Sequence, residues 1–434
     1  MNIKRFFTVS FLTFCLSLNA QNIINSDIEN FWQAYDKIIL TKDSATQYKL
    51  LDDLYLSKAT KGLNAIREAR QYTNKDYIDA INNYPKFWNS VRKNTLKSKY
   101  YVKELNKGIE KLREIYPDLK PATIYFTIGA LRSNGTTLDD MVLIGSEFAM
   151  SDQSTITDEF PENTKNNLRK YFDTNPINDL ILLNIHEYIH TQQKNPGNDL
   201  LSIVINEGIA EFVSTKTLDV PSPTPAISFG KKNAEKVRAK FEQEMFYYNN
   251  INNWLWSNSK NEFDVRDLGY YVGYQISENY YNQAKNKKQA LKELIDLDFS
   301  NEKQLNDFIK KSNYFSKPLE DLRADFEQNR PTIIGIKQFK NQSTNVDPSI
   351  KEITLQFSKP LNGYNTGLDF GNLGEMAFPK NDVTKRTWSE DHLSWTIPVE
   401  LLPNKKYQLL ITENFRTKDG YPLKPYLIEF ETTN

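Results

Sequence analysis

At Pro331 the spacing of apolar residues changes, and that change limits the fold more than any other feature of the chain. Upstream, apolar and aromatic side chains recur three and four apart, as a helix with one buried face requires. Ile28, Phe31, Trp32 and Tyr35 follow this spacing, and S-D-I-E at 26–29 reads as a capping box. Further helical stretches run over 45–70, 75–113, 163–217, 233–250 and 267–325, with breaks at Pro85 and Pro117. Downstream, TIIGIKQF, EITLQFS, LSWTIP, KYQLLITENF and YLIEFETT are short β-branched and aromatic runs divided by Pro, Asn, Asp and Gly. Strands of that density over about a hundred residues suit one β-sandwich. The helical part has one interruption, at 122–148, where two β-rich runs flank a polar stretch containing Asn134-Gly135. Two strands of one small sheet are expected there, so the class is α+β.

At 434 residues the chain is long enough for two folded units and a leader. Lys+Arg and Asp+Glu both number 55, so no basic field favours nucleic acid. Lys4 and Arg5 precede the apolar run Phe6 to Leu18, which is too short to span a bilayer, and Ala20 suits cleavage. This predicts a signal peptide over 1–20 and a secreted or periplasmic protein with no transmembrane span once mature. The sole cysteine, Cys15, lies within the leader, so disulfides do not hold the mature chain together. Lipid anchoring at Cys15 is the alternative, disfavoured by the bulk of Phe14 before it.

Only three histidines occur in the chain, and His186 and His190 bracket Glu187 in HEYIH. On a helix, a step of four puts both imidazoles on one face, suited to two ligands of one tetrahedral ion. Glu187 then reaches a water on that ion without being a ligand itself. NEGIAEF at 206–212 supplies the third ligand: sixteen residues separate His190 from Glu207, enough for a helix end, the KNPGN turn and most of the next helix. Gly208 removes a side chain where this helix must approach that of HEYIH closely. Glu211, one turn beyond Glu207, is placed to accept the ring N–H of a ligand histidine. Competing with this is a solvated polar face, but the flanking Val204, Ile205, Ile209, Phe212 and Val213 make this helix largely buried.

HEYIH followed by NEGIAEF resembles the gluzincin metallopeptidases. The wider pattern of FWQAYDK (31–37), IYFTIG, HEYIH, NEGIAEF and GYYVGYQI (269–276) is similar to a bacterial family of predicted zinc-dependent proteases related to a gliding-motility lipoprotein. The resemblance covers about 21–325. It departs from the aminopeptidase branch, whose interval between second histidine and glutamate is longer and whose glycine-alanine-methionine-glutamate motif is absent here. It implies a mainly helical zincin-like domain with a small β-sheet over 21–329, one Zn2+ per chain on His186, His190 and Glu207, and Glu187 as general base. It also implies a tyrosine donor to the tetrahedral intermediate, with Tyr270 favoured over Tyr271 and Tyr274. By resemblance and position, Ile144 and Gly145 in MVLIGSEF would lie on a sheet edge that pairs with extended substrate. NVDPSIKEITLQFSKPL (345–361) and LLPNKKYQLLITENFRTKDGYPL (401–423) resemble bacterial immunoglobulin-like domains. That implies an immunoglobulin-like β-sandwich over 330–434 and association with a cell surface.

The expected function is a zinc-dependent peptidase acting on peptide or protein substrates. Hydrolysis of another amide or ester by the same site is one alternative. The other is a surface interaction protein with a vestigial zinc site.

Overall fold

The computed structural model describes residues 23–256 and 261–434. The signal peptide, its cleavage after Ala20 and the anchor at Cys15 lie outside the described residues. Among those described, no helix is long and apolar enough to cross a membrane. The chain is α+β and divides into two compact units.

The first unit holds the described residues up to Lys194 together with 210–223 and 286–297. Helix Ser26–Ile38 buries Phe31, Trp32 and Tyr35 against Trp88 of helix Pro85–Thr95, with the Phe31 and Trp88 rings 4.9 Å apart. The expected capping box is not formed. Asn25 stands at the N-cap without a side-chain bond, and Asp27 instead turns inward to accept from the Thr60 backbone N–H and hydroxyl. Four strands form the sheet, in the order Ile23–Ile24, Thr123–Thr127, Met141–Gly145, Gly135–Leu138. The first three are parallel and the last antiparallel.

The two expected strands are present, but the polar stretch between them is itself a strand. A turn at Asp139-Asp140 joins it to the second of them, and Asp139 there adopts φ 52°. Aspartate tolerates this left-handed conformation better than most residues do, so the hairpin closes without glycine.

Past Gly145 the chain turns into the short helix Ser146–Ala149, and Glu147 is fully buried. Its carboxyl accepts the backbone N–H groups of Gly129 (3.0 Å) and Leu131 (3.3 Å). It thereby ties the loop after strand Thr123–Thr127 to the end of strand Met141–Gly145.

The second unit holds 195–209, the described part of 224–285, and 298–434. Its helices include Pro225–Lys232, Leu268–Gln283 and Leu319–Asn329. Each of the five runs read from the sequence beyond Pro331 contains a strand: Ile333–Ile336, Glu352–Phe357, Ser394–Glu400, Lys406–Ile411 and Tyr426–Glu431. Three two-residue strands add to them, at Leu368–Asp369, Lys380–Asn381 and Thr387–Trp388. They make a five-stranded and a three-stranded sheet whose buried residues, among them Ile353, Leu355, Trp395, Ile397, Leu409 and Ile428, share one core. Arg330 joins the last helix to these sheets, donating through Nη2 to Leu423 O at 2.8 Å and through Nε to Pro422 O at 3.2 Å. Tyr247 Oη donates to Glu413 O at 3.3 Å, and Gln243 Nε2 to Asp419 O at 2.9 Å.

Burial pushes the Glu147 carboxyl up to about 7, against the partial opposition of its backbone donors. A carboxyl raised in the fold binds more protons folded than unfolded between its two pKa values, so stability falls as pH rises through that window. The loss is on the order of 3 kcal/mol between about pH 4.5 and 7. Glu147→Gln should remove this contribution. Thermal melts of both proteins at pH 4.5 and pH 8 should show the variant gaining on the parent at pH 8, and a pH-independent difference would contradict the assignment.

Candidate metal centre

Helix Leu180–His190 is fixed to the first unit by its far face. Tyr188 Oη accepts from Ala122 N–H at 2.8 Å and donates to Lys120 O at 3.1 Å, pinning the helix beside the start of strand Thr123–Thr127. Gly108 of helix Val102–Ile115 meets Ile181 and Ile185. Asp179 occupies the N-cap without a side-chain cap bond, and its carboxyl is raised by burial and by the charge of Glu211. The helix is therefore almost wholly buried, with His186 and Glu187 only 6% and 8% exposed.

The two imidazoles are each held by their Nδ1. His186 Nδ1 lies 3.2 Å from Glu211 Oε2, and His190 Nδ1 lies 2.7 Å from Gln193 Oε1. A carboxylate and an amide oxygen only accept, so each Nδ1 carries the proton and each Nε2 of a neutral ring carries a lone pair. These two Nε2 atoms face one another at 3.1 Å. Two lone pairs at that distance repel unless a proton or a cation stands between them. Two nitrogens on one tetrahedral zinc, each at about 2.0–2.1 Å, would lie roughly 3.3 Å apart. The pair is thus close to the spacing that the ion requires.

Glu207 comes from helix Leu200–Leu218, which follows the turn containing Gly197 at φ 74° and is capped by Asp199 through the Ser202 N–H at 2.9 Å. Among the described residues, His186, His190 and Glu207 form the group that could hold a metal ion, with their ligand atoms all within 4.8 Å of one another. The donor set of two neutral imidazoles and a carboxylate fits zinc with a position left open. Glu211 stands where expected, and its other oxygen accepts from Ser222 Oγ. A glutamate fixed on both sides holds the His186 ring in one orientation and raises its basicity. Gln193 and Ser222 were missed in the sequence, since neither a glutamine past a helix end nor a serine in a loop carries a periodic signal.

Glu187 lies against the sheet. A Cβ built on Gly135 would stand 2.8 Å from Glu187 Oε1, so the glycine lets the strand lie against the carboxylate without displacing it. That strand corrects the expectation for Ile144 and Gly145. Met141–Gly145 is interior, paired with Thr123–Thr127 on one side and Gly135–Leu138 on the other, so its backbone has no edge to offer, and Ile144 is fully buried. The outer strand is Gly135–Leu138. Gly145 N–H donates to Asn134 O at 3.0 Å, and the antiparallel alternation then turns the backbone groups of Gly135 and Thr137 outward. At Gly135 those groups are taken by Asn134 Oδ1 (2.9 Å) and by Arg70 Nη2 (3.3 Å) and Ser133 Oγ (2.8 Å).

Gly208 also has a different partner from the one expected. It meets helix Leu268–Gln283, where a Cβ on Gly208 would lie 2.0 Å from the Gly273 carbonyl carbon, and one on Gly273 would lie 1.9 Å from Val204 O. The two backbones touch through paired glycines. Tyr270, one turn before Gly273, is hydrogen-bonded to Glu207, and its phenol is pushed well above the usual range by burial first and then by the Glu207 and Asp267 carboxylates. Tyr271 packs under Gly230, and the Tyr274 ring lies 5.0 Å from Lys231 Nζ. Of the three tyrosines, Tyr270 is the one bonded to Glu207.

The family described as "Gliding motility protein GldB" matches residues 18–264, more than half of the chain. The matched stretch includes HEYIH, Glu207 and Glu211 and stops short of Tyr270. It bears out the relation to gliding-motility proteins and leaves the gluzincin resemblance without support of its own. No curated protein matches the chain. Among solved structures, CopC from Methylosinus trichosporium OB3b is 13% identical at a TM-score of 0.18, covering 24% of this chain and 94% of its own. The S-layer protein rSbsC(31-844) is 13% identical at 0.18, covering 66% of this chain and 44% of its own. The surface layer protein SbsC, domains 1-6, is 12% identical at 0.19, covering 94% and 41%. At these scores the three likenesses carry no argument about fold or function.

The glycine contact yields a direct test. Gly208→Ala places a methyl group where backbone already stands, so the helices must separate, at a cost of roughly 1–3 kcal/mol. Thermal unfolding should show a lowered midpoint, and zinc affinity should fall as Glu207 is displaced. An unchanged midpoint would show that the backbones do not meet.

Proposed function

This chain belongs to the gliding motility protein GldB family, and from the arrangement of its side chains we propose that it is an extracytoplasmic zinc-dependent hydrolase of peptide bonds. The observation that carries the reading is the grouping of His186, His190 and Glu207 with their ligand atoms within 4.8 Å, beside a buried Glu187 that is not one of them. Zinc held there supplies Lewis acidity toward a carbonyl and lowers the pKa of water to about 7. Glu187, one residue from His186 on the same helix, takes the proton of the attacking water and passes it to the leaving amine. Gly135 keeps the space beside that carboxylate open. Glu211 and Gln193 hold the two imidazoles in the tautomer that leaves Nε2 available.

Extended polypeptide suits the strand next to Glu187. Outward-facing backbone at Thr137 can pair with a substrate main chain, which gives affinity with little demand on side-chain sequence. Family membership favours a second reading, in which the protein serves surface motility, and the C-terminal sheets, which lie beyond the matched residues, make the contacts.

Glu187→Gln separates the two. It should keep its zinc and lose hydrolysis of an unfolded polypeptide by about 10²–10⁴-fold, the usual share of general-base transfer. Turnover equal to that of the parent would remove the mechanism, and a zinc-loaded parent that cleaves no peptide would leave the motility reading. Thr137→Pro should raise KM for unstructured peptides with zinc content unchanged, because proline lacks the backbone donor. Unchanged KM in a folded, zinc-loaded variant would free this strand from substrate binding.

A further inference from the structure

Glu207 is half-buried, and a carboxylate that gives one oxygen to a metal keeps the other able to accept a hydrogen bond that fixes its orientation. Tyr270 is bonded to Glu207, and the direction of that bond follows from the atom on its far side. Trp256 Nε1 lies 3.3 Å from Tyr270 Oη. An indole nitrogen has a hydrogen to give and no lone pair to receive one. The tyrosine oxygen is therefore the acceptor from Trp256, and its single proton is left for Glu207.

Trp256 and Tyr270 are both fixed at one helix terminus. Asp267 begins helix Leu268–Gln283 in the left-handed conformation, at φ 63°. Its Oδ1 accepts the Trp256 backbone N–H at 2.7 Å, and its Oδ2 pairs with Arg266 Nε at 2.8 Å. Tyr270 N–H donates to Asp267 O at 3.0 Å. Trp256 itself holds φ 54°, a conformation unfavourable for a bulky residue that the Asp267 bond helps to maintain. The same helix meets the Glu207 helix through Gly208 and Gly273, so the tyrosine is placed by backbone contact as well as by its hydrogen bonds.

We propose that Tyr270 is a positioning residue, which holds Glu207 through a one-way chain running from Trp256 Nε1–H to Tyr270 Oη–H to the Glu207 carboxylate. Its proton is committed to the ligand glutamate, so it does not serve the developing oxyanion. The role expected of Tyr270 from resemblance is thereby replaced by one toward the metal ligand. The inference rests on the reading of His186, His190 and Glu207 as a zinc site.

The test measures the zinc dissociation constant by chelator competition, the thermal midpoint of the metal-free protein, and kcat and KM on a peptide substrate. Tyr270→Phe should weaken zinc binding by about 10–100-fold, the usual effect of removing a group that orients a ligand, and leave the metal-free midpoint within a degree or two. Trp256→Phe, which keeps the tyrosine and removes only its donor, should weaken zinc binding less and in the same direction. A Tyr270→Phe protein with parental zinc affinity and a kcat loss of about 10²–10³-fold at constant KM would assign the phenol to the oxyanion and overturn the proposal. Parental affinity in both variants with unchanged turnover also overturns it. A parent protein that binds no zinc overturns the proposal together with the zinc-site reading, whereas the two preceding outcomes leave that reading standing.

Discussion

Two imidazole nitrogens with lone pairs facing each other at 3.1 Å are the constraint on which the site depends. Neutral rings do not choose that arrangement for themselves. It is imposed by Glu211 and Gln193, which claim the opposite nitrogens, and by a helix whose far face Tyr188 ties to the sheet. The folded chain therefore carries a concentrated region of lone-pair density, and a dication relieves it more completely than a single proton can. Glu207 adds a negative charge and completes a donor set of the kind that fits a zinc ion.

How much of this was legible in the sequence depends on the range of the signal. The step of four between His186 and His190 reports directly on a helix face, because helical geometry is local. Glu207 and Glu211 were readable from one spacing and one apolar pattern. Gln193 was not, because its contact to His190 arises in the irregular turn after the helix. Gly208 was recognised as a point of close approach, but its partner Gly273 lies on a helix far along the chain, and periodicity holds no record of which helices meet.

The small sheet shows the same limit from another side. Gly135–Leu138 is polar and lacks the alternation of a half-buried strand, so it reads as a connection between its apolar neighbours. Its closing turn uses Asp139-Asp140, and the Asn134-Gly135 pair visible in the sequence stands at the start of the strand instead. The consequence for the proposed function was large, because moving the edge from 141–145 to 135–138 moves the proposed substrate-pairing strand with it. Beyond Pro331 the five longer strands were legible and the two-residue ones were not, since two residues establish no alternation. The general class, α+β with sheets in the C-terminal part, followed from the change of period alone.

The central claim is that His186, His190 and Glu207 form one zinc site. Elemental analysis of the purified protein, the parent beside His190→Ala and Glu207→Ala, tests it most directly. The account predicts one zinc per chain in the parent and substoichiometric zinc in both variants with their folds intact. Full stoichiometry in folded Glu207→Ala, or none in the parent after zinc is supplied, would contradict it.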